Sequence, residues 1–277
     1  MFVGFLMAPM RDWSLEKIVE WASTNGFMGL EVLVSPNLKQ IDIDRVLSGG
    51  AGKVRRLFSE RGLKISGLAF YSIRILEDEG EQSFLIKVIE AASALDVNVV
   101  CTLAGSPVKG KDKIQTLKED FPKVFNPIID TAKEHNVKVA LENWYATNLQ
   151  GLDHFQAAFE SIPDRTLGLN FDPSHLFWQQ IDYIEAVYKF GDRIYHTHAK
   201  DTEILPFRLR YVGVLGRGWW RYRIPGWGGI NWRSYITALK EVGYDYVLSI
   251  EHEDPFFGPK EGLINGKKFL EELLSSL

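Results

Sequence analysis

Val137-Lys138-Val139-Ala140-Leu141-Glu142-Asn143 is a run of small and β-branched apolar residues that turns polar at its last two positions. A strand with one face in water alternates apolar and polar residues, whereas a parallel strand covered by helices on both faces reads as a nearly continuous apolar run. This stretch is of the second kind, and so is Val97-Asn98-Val99-Val100 before it. The stretch therefore predicts a repeat of strand and helix to either side of itself.

Working outward, buried-strand patterns recur at residues 2–8, 29–34, 64–70, 98–103, 138–143, 167–171, 193–200 and 246–251. Helical patterns separate them. Ser14 is suited to cap the first helix, with Leu15, Ile18, Val19 and Ala22 on one face and Asn25-Gly26 as the stop. Lys17 stands where a capping box would carry Glu or Gln, so that box is incomplete. Further helices are expected at about 44–61, 81–95, up to 135, 152–159, 183–190, 232–242 and 260–274. Gly49-Gly50-Ala51-Gly52 interrupts the second, and Pro122 and Pro127 predict a break or kink in the fourth. Eight such units with no linker or shift in composition predict one (β/α)8 barrel domain over residues 1–277, rather than an open doubly wound sheet. No glycine fingerprint for a dinucleotide follows the first strand. Gly49-Gly50-Ala51-Gly52-Lys53 lacks the Ser or Thr, the upstream glycine and the preceding strand of a phosphate loop, so it reads as an entry into a helix.

The composition, 45% hydrophobic and 25% charged, is that of a soluble globular protein. A net charge of -4 argues against a nucleic-acid partner held by phosphate neutralisation. The single cysteine, Cys101, excludes an intramolecular disulfide and is expected as a small core side chain. The apolar start, Met1 to Met10, has no basic leader and reads as a buried strand rather than a signal peptide. No run approaches the roughly 20 apolar residues of a membrane span. A cytoplasmic location with no membrane partner is expected.

In such a barrel the reactive groups sit where strands end. The fifth strand ends in Glu142-Asn143, the sixth in Asp172-Pro173-Ser174-His175, the seventh in His198-Ala199-Lys200-Asp201, and the eighth in Glu251-His252-Glu253-Asp254-Pro255. Within Tyr195-His196-Thr197-His198-Ala199-Lys200, alternation places His196, His198 and Lys200 on one face. Converging carboxylates repel and raise one another's pKa values unless a cation sits among them. One divalent metal held by Glu142, Asp172, His198 and Glu251 is the economical solution. Three oxygens and one imidazole with open positions suit Mn²⁺ first, then Mg²⁺ or Co²⁺, with Zn²⁺ also admitted. A metal-free network of ion pairs is the alternative.

These pieces, with Leu141-Glu142-Asn143, Pro225-Gly226-Trp227-Gly228-Gly229-Ile230-Asn231-Trp232 and Ile250-Glu251, together resemble the xylose-isomerase-like barrels of the sugar isomerase/epimerase group. The resemblance covers essentially the whole chain. It implies that Glu142, Asp172, His198 and Glu251 bind the metal. It also implies that Glu142 and Glu251 form an acid/base pair, one on each face of the substrate, and that His175 contacts the substrate. The implied activity is isomerisation or epimerisation of a keto-sugar or related polyol through a metal-stabilised enediolate. Lys200 either stabilises the developing oxyanion or pairs with Asp172 or Asp201.

Two positions depart from the ketose 3-epimerases of that group, where an arginine and a glutamate are expected: here they are Ile204 and Asn148. The ending Glu251-His252-Glu253-Asp254-Pro255 resembles the Glu-x-Glu-x-Asp-Pro of inosose dehydratases in the same superfamily. The alternative activity is therefore a dehydratase or β-eliminating lyase on a keto-cyclitol or 3-keto-glycoside. A non-catalytic sugar-binding barrel is the remote one. The related apurinic-site endonucleases need extra histidines after the third and fourth strands, and Ala69-Phe70-Tyr71 and Thr102-Leu103-Ala104 supply none.

The connection from 202 to 230 carries Arg208, Arg210, Arg217, Trp219, Trp220, Arg221, Tyr222, Arg223 and Trp227. A long structureless loop of this kind is expected as a substrate lid or as a subunit interface in a homo-oligomer. Arg217 and Arg223 are the candidates to bind substrate from it. Glu31, Tyr71 and Trp144 are further pocket candidates. His135 and His154 are expected at the surface, and His196, deeper than His198, as a hydrogen-bonded core residue.

Overall fold

The computed structural model describes residues 1–38 and 40–277. Its centre is a closed barrel of parallel strands in the order β1-β10-β7-β6-β5-β4-β3-β2. These are β1 Phe2–Leu6, β2 Gly29–Leu33, β3 Lys64–Phe70, β4 Val99–Thr102, β5 Lys138–Glu142, β6 Leu167–Phe171, β7 Ile194–Ala199 and β10 Val247–Ile250. Two further strands, β8 Asp201–Ile204 and β9 Trp220–Arg223, form a separate antiparallel pair. Each expected barrel strand is found; β3 and β6 end where expected, and the others end one or two residues short where the chain turns into its rim loop.

The apolar core lies mostly between barrel and helices, where residues such as Phe5, Ile18, Leu68, Val100, Phe125 and Leu248 are fully buried. The barrel interior holds a much smaller cluster of Leu6, Ala69, Val99, Cys101 and Ala140. Small side chains there leave room for a buried polar column: Ser66, His196, Asn170, Glu31, Ser249 and His198 are all essentially inaccessible. Burying polar groups is costly unless they are hydrogen-bonded, and these bond one another: His196 to Asn170 and Ser66, and Ser249 to Glu31.

Local signals act as the sequence predicts. Ser14 accepts the Lys17 amide and starts the helix Leu15–Thr24, whose buried face is Leu15, Ile18, Val19 and Ala22. Gly26, at φ 71°, ends it. The glycine run kinks the second helical segment at Ser48 and Gly49, with Gly49 at φ 109°, a conformation that favours glycine. The fourth helix breaks at Asp120, between Lys113–Glu119 and Phe121–Glu134; Pro122 opens the second part and Pro127 lies inside it. His135 and His154 are each only partly exposed, in the helical shell. No described helix is long and apolar enough to cross a membrane.

One expectation is corrected. The 202–230 connection is not structureless. Strands β8 and β9 pair Asp201 with Arg223, Thr202 with Tyr222, Glu203 with Arg221 and Ile204 with Trp220. The helix Pro206–Val212 lies between them. The segment that follows wraps around Asp201. Its Oδ1 accepts from the amides of Thr202 (2.8 Å) and Ile230 (3.1 Å), and its Oδ2 from Gly226 N (3.0 Å) and Trp232 Nε1 (2.8 Å). A Cβ on Gly228 would stand 2.2 Å from Asp201 Oδ1 and 2.5 Å from the Thr202 carbonyl, so the Gly-rich spacing of this stretch serves the close approach. Asp201 is therefore a structural residue and not a partner of Lys200.

Candidate metal centre and substrate cavity

Strands β5, β6, β7 and β10 each deliver one side chain to the same rim. Glu142 is the last residue of β5, paired in register with Asn170. His198 lies on β7 beside Ser249 of β10. Asp172 follows β6 and caps the short helix Pro173–Phe177, its Oδ1 accepting from Ser174 N at 2.8 Å. Glu251 follows β10, with its amide donating to the Ala199 carbonyl at 3.3 Å. One ligand atom from each of Glu142, Asp172, His198 and Glu251 lies within 4.8 Å of the others. The structure thus brings together the four residues named from the sequence.

Two atoms of this cluster are informative. Asp172 Oδ2 and His198 Nδ1 are buried, and neither makes a hydrogen bond. Lys200 Nζ lies 3.2 Å from the first and Glu251 Oε2 3.1 Å from the second, but these contacts are ionic, without hydrogen-bond geometry. The other ring nitrogen, His198 Nε2, faces Glu31 Oε2 at 3.1 Å, with Tyr71 and Asn170 also at 3.1 Å. A carboxylate behind Nε2 gives a proton on that nitrogen its acceptor, so a ring that binds a cation would do so through Nδ1, which faces the cluster.

Glu31 is the first sequence candidate that the structure moves. It was expected in the pocket, but it is fully buried beneath His198 and does not line the cavity. Its Oε2 accepts from Ser249 Oγ at 2.8 Å and its Oε1 from the Tyr71 hydroxyl. Below it, His196 bonds Asn170 Oδ1 through Nδ1 (2.9 Å) and Ser66 Oγ through Nε2 (3.3 Å), as a core histidine should.

The charges follow this packing. Burial pushes the Glu31 carboxyl up, but His198 and His196 outweigh it and hold it at about 2. Burial also acts against Glu142 and Glu251. His175 and His198 keep the first well below the usual carboxylate range, and Lys200 and His198 hold the second at about 2. Burial drives His196 down to about 4, so it is neutral. Lys200 is raised despite burial, because Glu251, Asp172 and Glu253 surround it. Its ammonium lies 2.6 Å from Glu251, 3.0 Å from Glu253 and 3.2 Å from Asp172.

Above the cluster opens a cavity of about 340 Å³. Glu142, His175, Lys200 and Glu251 form its polar wall, and Tyr71, Trp144, Tyr145 and Tyr222 its aromatic one. Hollows of about 680 and 500 Å³ lie elsewhere, but neither contains any of the four clustered residues. The smaller cavity is the one that Glu142 and Glu251 line. His175 sits deep in it, with Nε2 at 3.3 Å from Glu142 Oε1 and Nδ1 at 2.8 Å from the Tyr222 hydroxyl.

Two more candidates are corrected. Arg217 is exposed in the turn before β9, where its carbonyl accepts from Arg208 Nε at 3.3 Å, and it does not line the cavity. Arg223 is ion-paired to Glu203 (2.6 Å) and Asp254 (2.7 Å) and fastens the hairpin to the loop after β10. Alternation along β9 explains both the loss and the gain: Arg221 and Arg223 face one way and Tyr222 the other. Tyr222, Tyr145, Glu253 and Asn170 were not singled out as site residues. The period-two pattern Trp220-Arg221-Tyr222-Arg223 is the signal that would have found Tyr222. Asn148 is a loop anchor, donating to the carbonyls of Ala104, Gly105 and Ser106, and Ile204 pairs with Trp220 in the hairpin.

A closed parallel barrel with imidazole and carboxylates at its C-terminal rim defines a class of α/β proteins that use this rim for small-molecule chemistry. Residues 19–273 match the xylose isomerase-like TIM barrel family, and the chain belongs to it. An inosose dehydratase of Clostridium tetani is 25% identical over 192 residues, covering 63% of this chain and 64% of that protein. The chain thus spans under two thirds of that relative's length. An inosose isomerase of Bacillus velezensis is 25% identical over 252 residues, 87% of this chain and 84% of that one. Among solved structures, the IOLI protein with a bound zinc atom superposes with a TM-score of 0.77 at 20% identity, covering 100% of this chain and 99% of that one, a likeness of fold.

Proposed function

We propose that the chain is a divalent-metal-dependent isomerase or epimerase of a keto-sugar or related polyol. The observation that carries this reading is the pair of buried, unpartnered atoms, Asp172 Oδ2 and His198 Nδ1, inside a ring completed by Glu142 and Glu251. Buried polar atoms without partners are rare, and this donor set fits a divalent cation. Mn²⁺ is the first candidate for three oxygens and one imidazole, with Mg²⁺, Co²⁺ and Zn²⁺ as the others. The IOLI protein, alike in fold, is named with a bound zinc atom, which supports a divalent metal for this chain. A cation held there supplies a Lewis acid for a carbonyl oxygen and the hydroxyl beside it.

The chain's own groups then account for the proton. Glu142, unprotonated at neutral pH, accepts the proton from the carbon next to the carbonyl, and the C–H electron pair passes to the carbonyl oxygen. Glu251, across the cavity, takes up a proton from solvent and gives it to the other face, while Glu142 releases its own to solvent. Returned to the same carbon, it inverts the centre; returned to the neighbouring carbon, with that carbon's hydroxyl proton passing to the former carbonyl oxygen, it moves the carbonyl. Lys200 stands between Glu251 and Glu253 and faces the charge that develops. The aromatic wall packs the apolar face of the ring and excludes water. A small uncharged carbohydrate, rather than nucleic acid, suits a cavity of this size.

A specific observation favours a second reading. Lys200 Nζ, held between Glu251 and Glu253 at the mouth of the cavity, is placed to hand a proton to a hydroxyl on the next carbon, which would leave as water after the same first step, as in a dehydratase. The inosose dehydratase relative points the same way. A panel of ketoses and keto-cyclitols in D₂O separates the two. Deuterium gained at carbon with no other change of mass is the expected result. Loss of water supports the dehydratase, and no exchange with any substrate contradicts both.

The carboxylate behind His198 gives a separate prediction. Glu31→Gln removes the negative charge that aligns the ring and is expected to weaken Mn²⁺ binding about 10–100-fold. Calorimetric titration of the chelator-treated protein measures it, and unchanged affinity would detach Glu31 from the metal centre.

A further inference from the structure

The β8–β9 hairpin reaches the cavity through one side chain. Tyr222 is half-buried, packs edge-on against His175 at 5.4 Å between ring centroids, and holds Lys200 Nζ 4.4 Å above its own ring. Its hydroxyl lies 2.8 Å from His175 Nδ1. The other nitrogen of that ring, Nε2, lies 3.3 Å from Glu142 Oε1 and 3.5 Å from Asp172 Oδ2. A neutral imidazole carries one proton and one lone pair, so the two nitrogens cannot be satisfied independently.

Two arrangements are open to the ring. In one, Nε2 carries the proton and donates to Glu142, and Nδ1 accepts from Tyr222. In the other, Nδ1 donates to Tyr222, and the Nε2 lone pair accepts from Lys200, 3.4 Å away. The second sets a lone pair against two carboxylates and draws on the one N–H that the ammonium keeps beyond Glu251 at 2.6 Å and Glu253 at 3.0 Å. The first puts a donor against the carboxylates and leaves Lys200 to its three carboxylate neighbours.

We propose that Tyr222 is a positioning residue for the proton acceptor: its hydroxyl donates to His175 Nδ1, commits the ring proton to Nε2, and so holds Glu142 by one oxygen. The hairpin is the means of delivery. Arg221 and Arg223 bond Glu203 on the neighbouring strand, and Arg223 also bonds Asp254 at 2.7 Å, which fixes the height of β9 over the cavity. The inserted connection thereby acts on the acid/base pair through Tyr222, not through its arginines.

The test is nitrogen NMR of the histidine rings in the whole chain, with and without Mg²⁺, in the wild type and in Tyr222→Phe. His175→Asn identifies the His175 signals. The expected wild-type spectrum has Nε2 protonated and Nδ1 unprotonated and hydrogen-bonded. In Tyr222→Phe the Nδ1 signal moves to the position of an unbonded nitrogen, or the ring becomes a mixture of tautomers. A wild type with Nδ1 protonated, or coincident His175 spectra in a folded variant, would overturn the proposal. The kinetic arm rests on the proposed proton transfer: kcat falls about tenfold, as expected for one lost hydrogen bond, while KM changes by less than about twofold. A raised KM with unchanged kcat would make Tyr222 a binding residue and also overturn it. The spectra need no substrate, so failure of the proposed reaction would leave the proposal about the ring standing or falling by itself.

Discussion

Glu142→Gln is expected to slow solvent-proton exchange into substrate by about 10²–10⁴-fold, the range contributed by a positioned acid or base. The amide keeps the volume and can still accept from His175, whose Nε2 lies 3.3 Å away, but it cannot take a proton from carbon. Glu251→Gln should have a comparable effect, with one difference. Glu251 is the nearest carboxylate to Lys200, at 2.6 Å, so its neutralisation also loosens Lys200. The measurement is deuterium uptake in D₂O under saturating metal. Full activity in either variant would remove that residue from the acid/base pair. Parallel metal titrations separate the lost proton transfer from weakened metal binding.

Asp201→Ala is expected to be the most destabilising substitution near the site, at about 3 kcal/mol or more, because it strands buried donors. The four donors that converge on this carboxylate come from Thr202, Gly226, Ile230 and the Trp232 indole. Burial raises the Asp201 carboxyl above its ordinary value against those hydrogen bonds, which shows how completely the chain encloses it. Asp201→Asn should also destabilise, since either orientation of the amide turns its NH₂ toward two donors. For a chain of this length the alanine variant corresponds to a fall in Tm of roughly 5 °C or more. A melting temperature within a degree of the wild type would contradict the structural role.

The barrel and its rim were legible because they rest on local signals. Parallel strands are apolar along their length, and a polar residue at the end of one has a single edge to face, so Glu142, Asp172, His198 and Glu251 could be placed from strand order alone. Two kinds of information were not local. Glu31 differs from a rim residue only in height, and height follows from barrel closure and stagger, with an irregularity at Leu30 and Glu31 in the pairing of β2 with β3. The hairpin was hidden because its strands are short and separated by 15 residues, from 205 to 219. Its arginines looked like ligand-binding groups until the pairing turned them toward Glu203 and Asp254. Composition marked the segment as special, and only the register showed that Tyr222 is the residue it presents. The exposed end of that insertion, with Phe207, Tyr211, Val214 and Leu215 each more than half accessible, lies away from the cavity.

The central claim is that Glu142, Asp172, His198 and Glu251 hold one divalent cation. The most direct measurement is elemental analysis joined to Mn²⁺ titration of the chelator-treated chain, in the wild type and in Asp172→Ala. The account predicts one ion per wild-type chain, bound saturably, and a large loss of affinity in the variant. A wild type that binds no stoichiometric metal, or a variant that binds it equally well, would contradict the account.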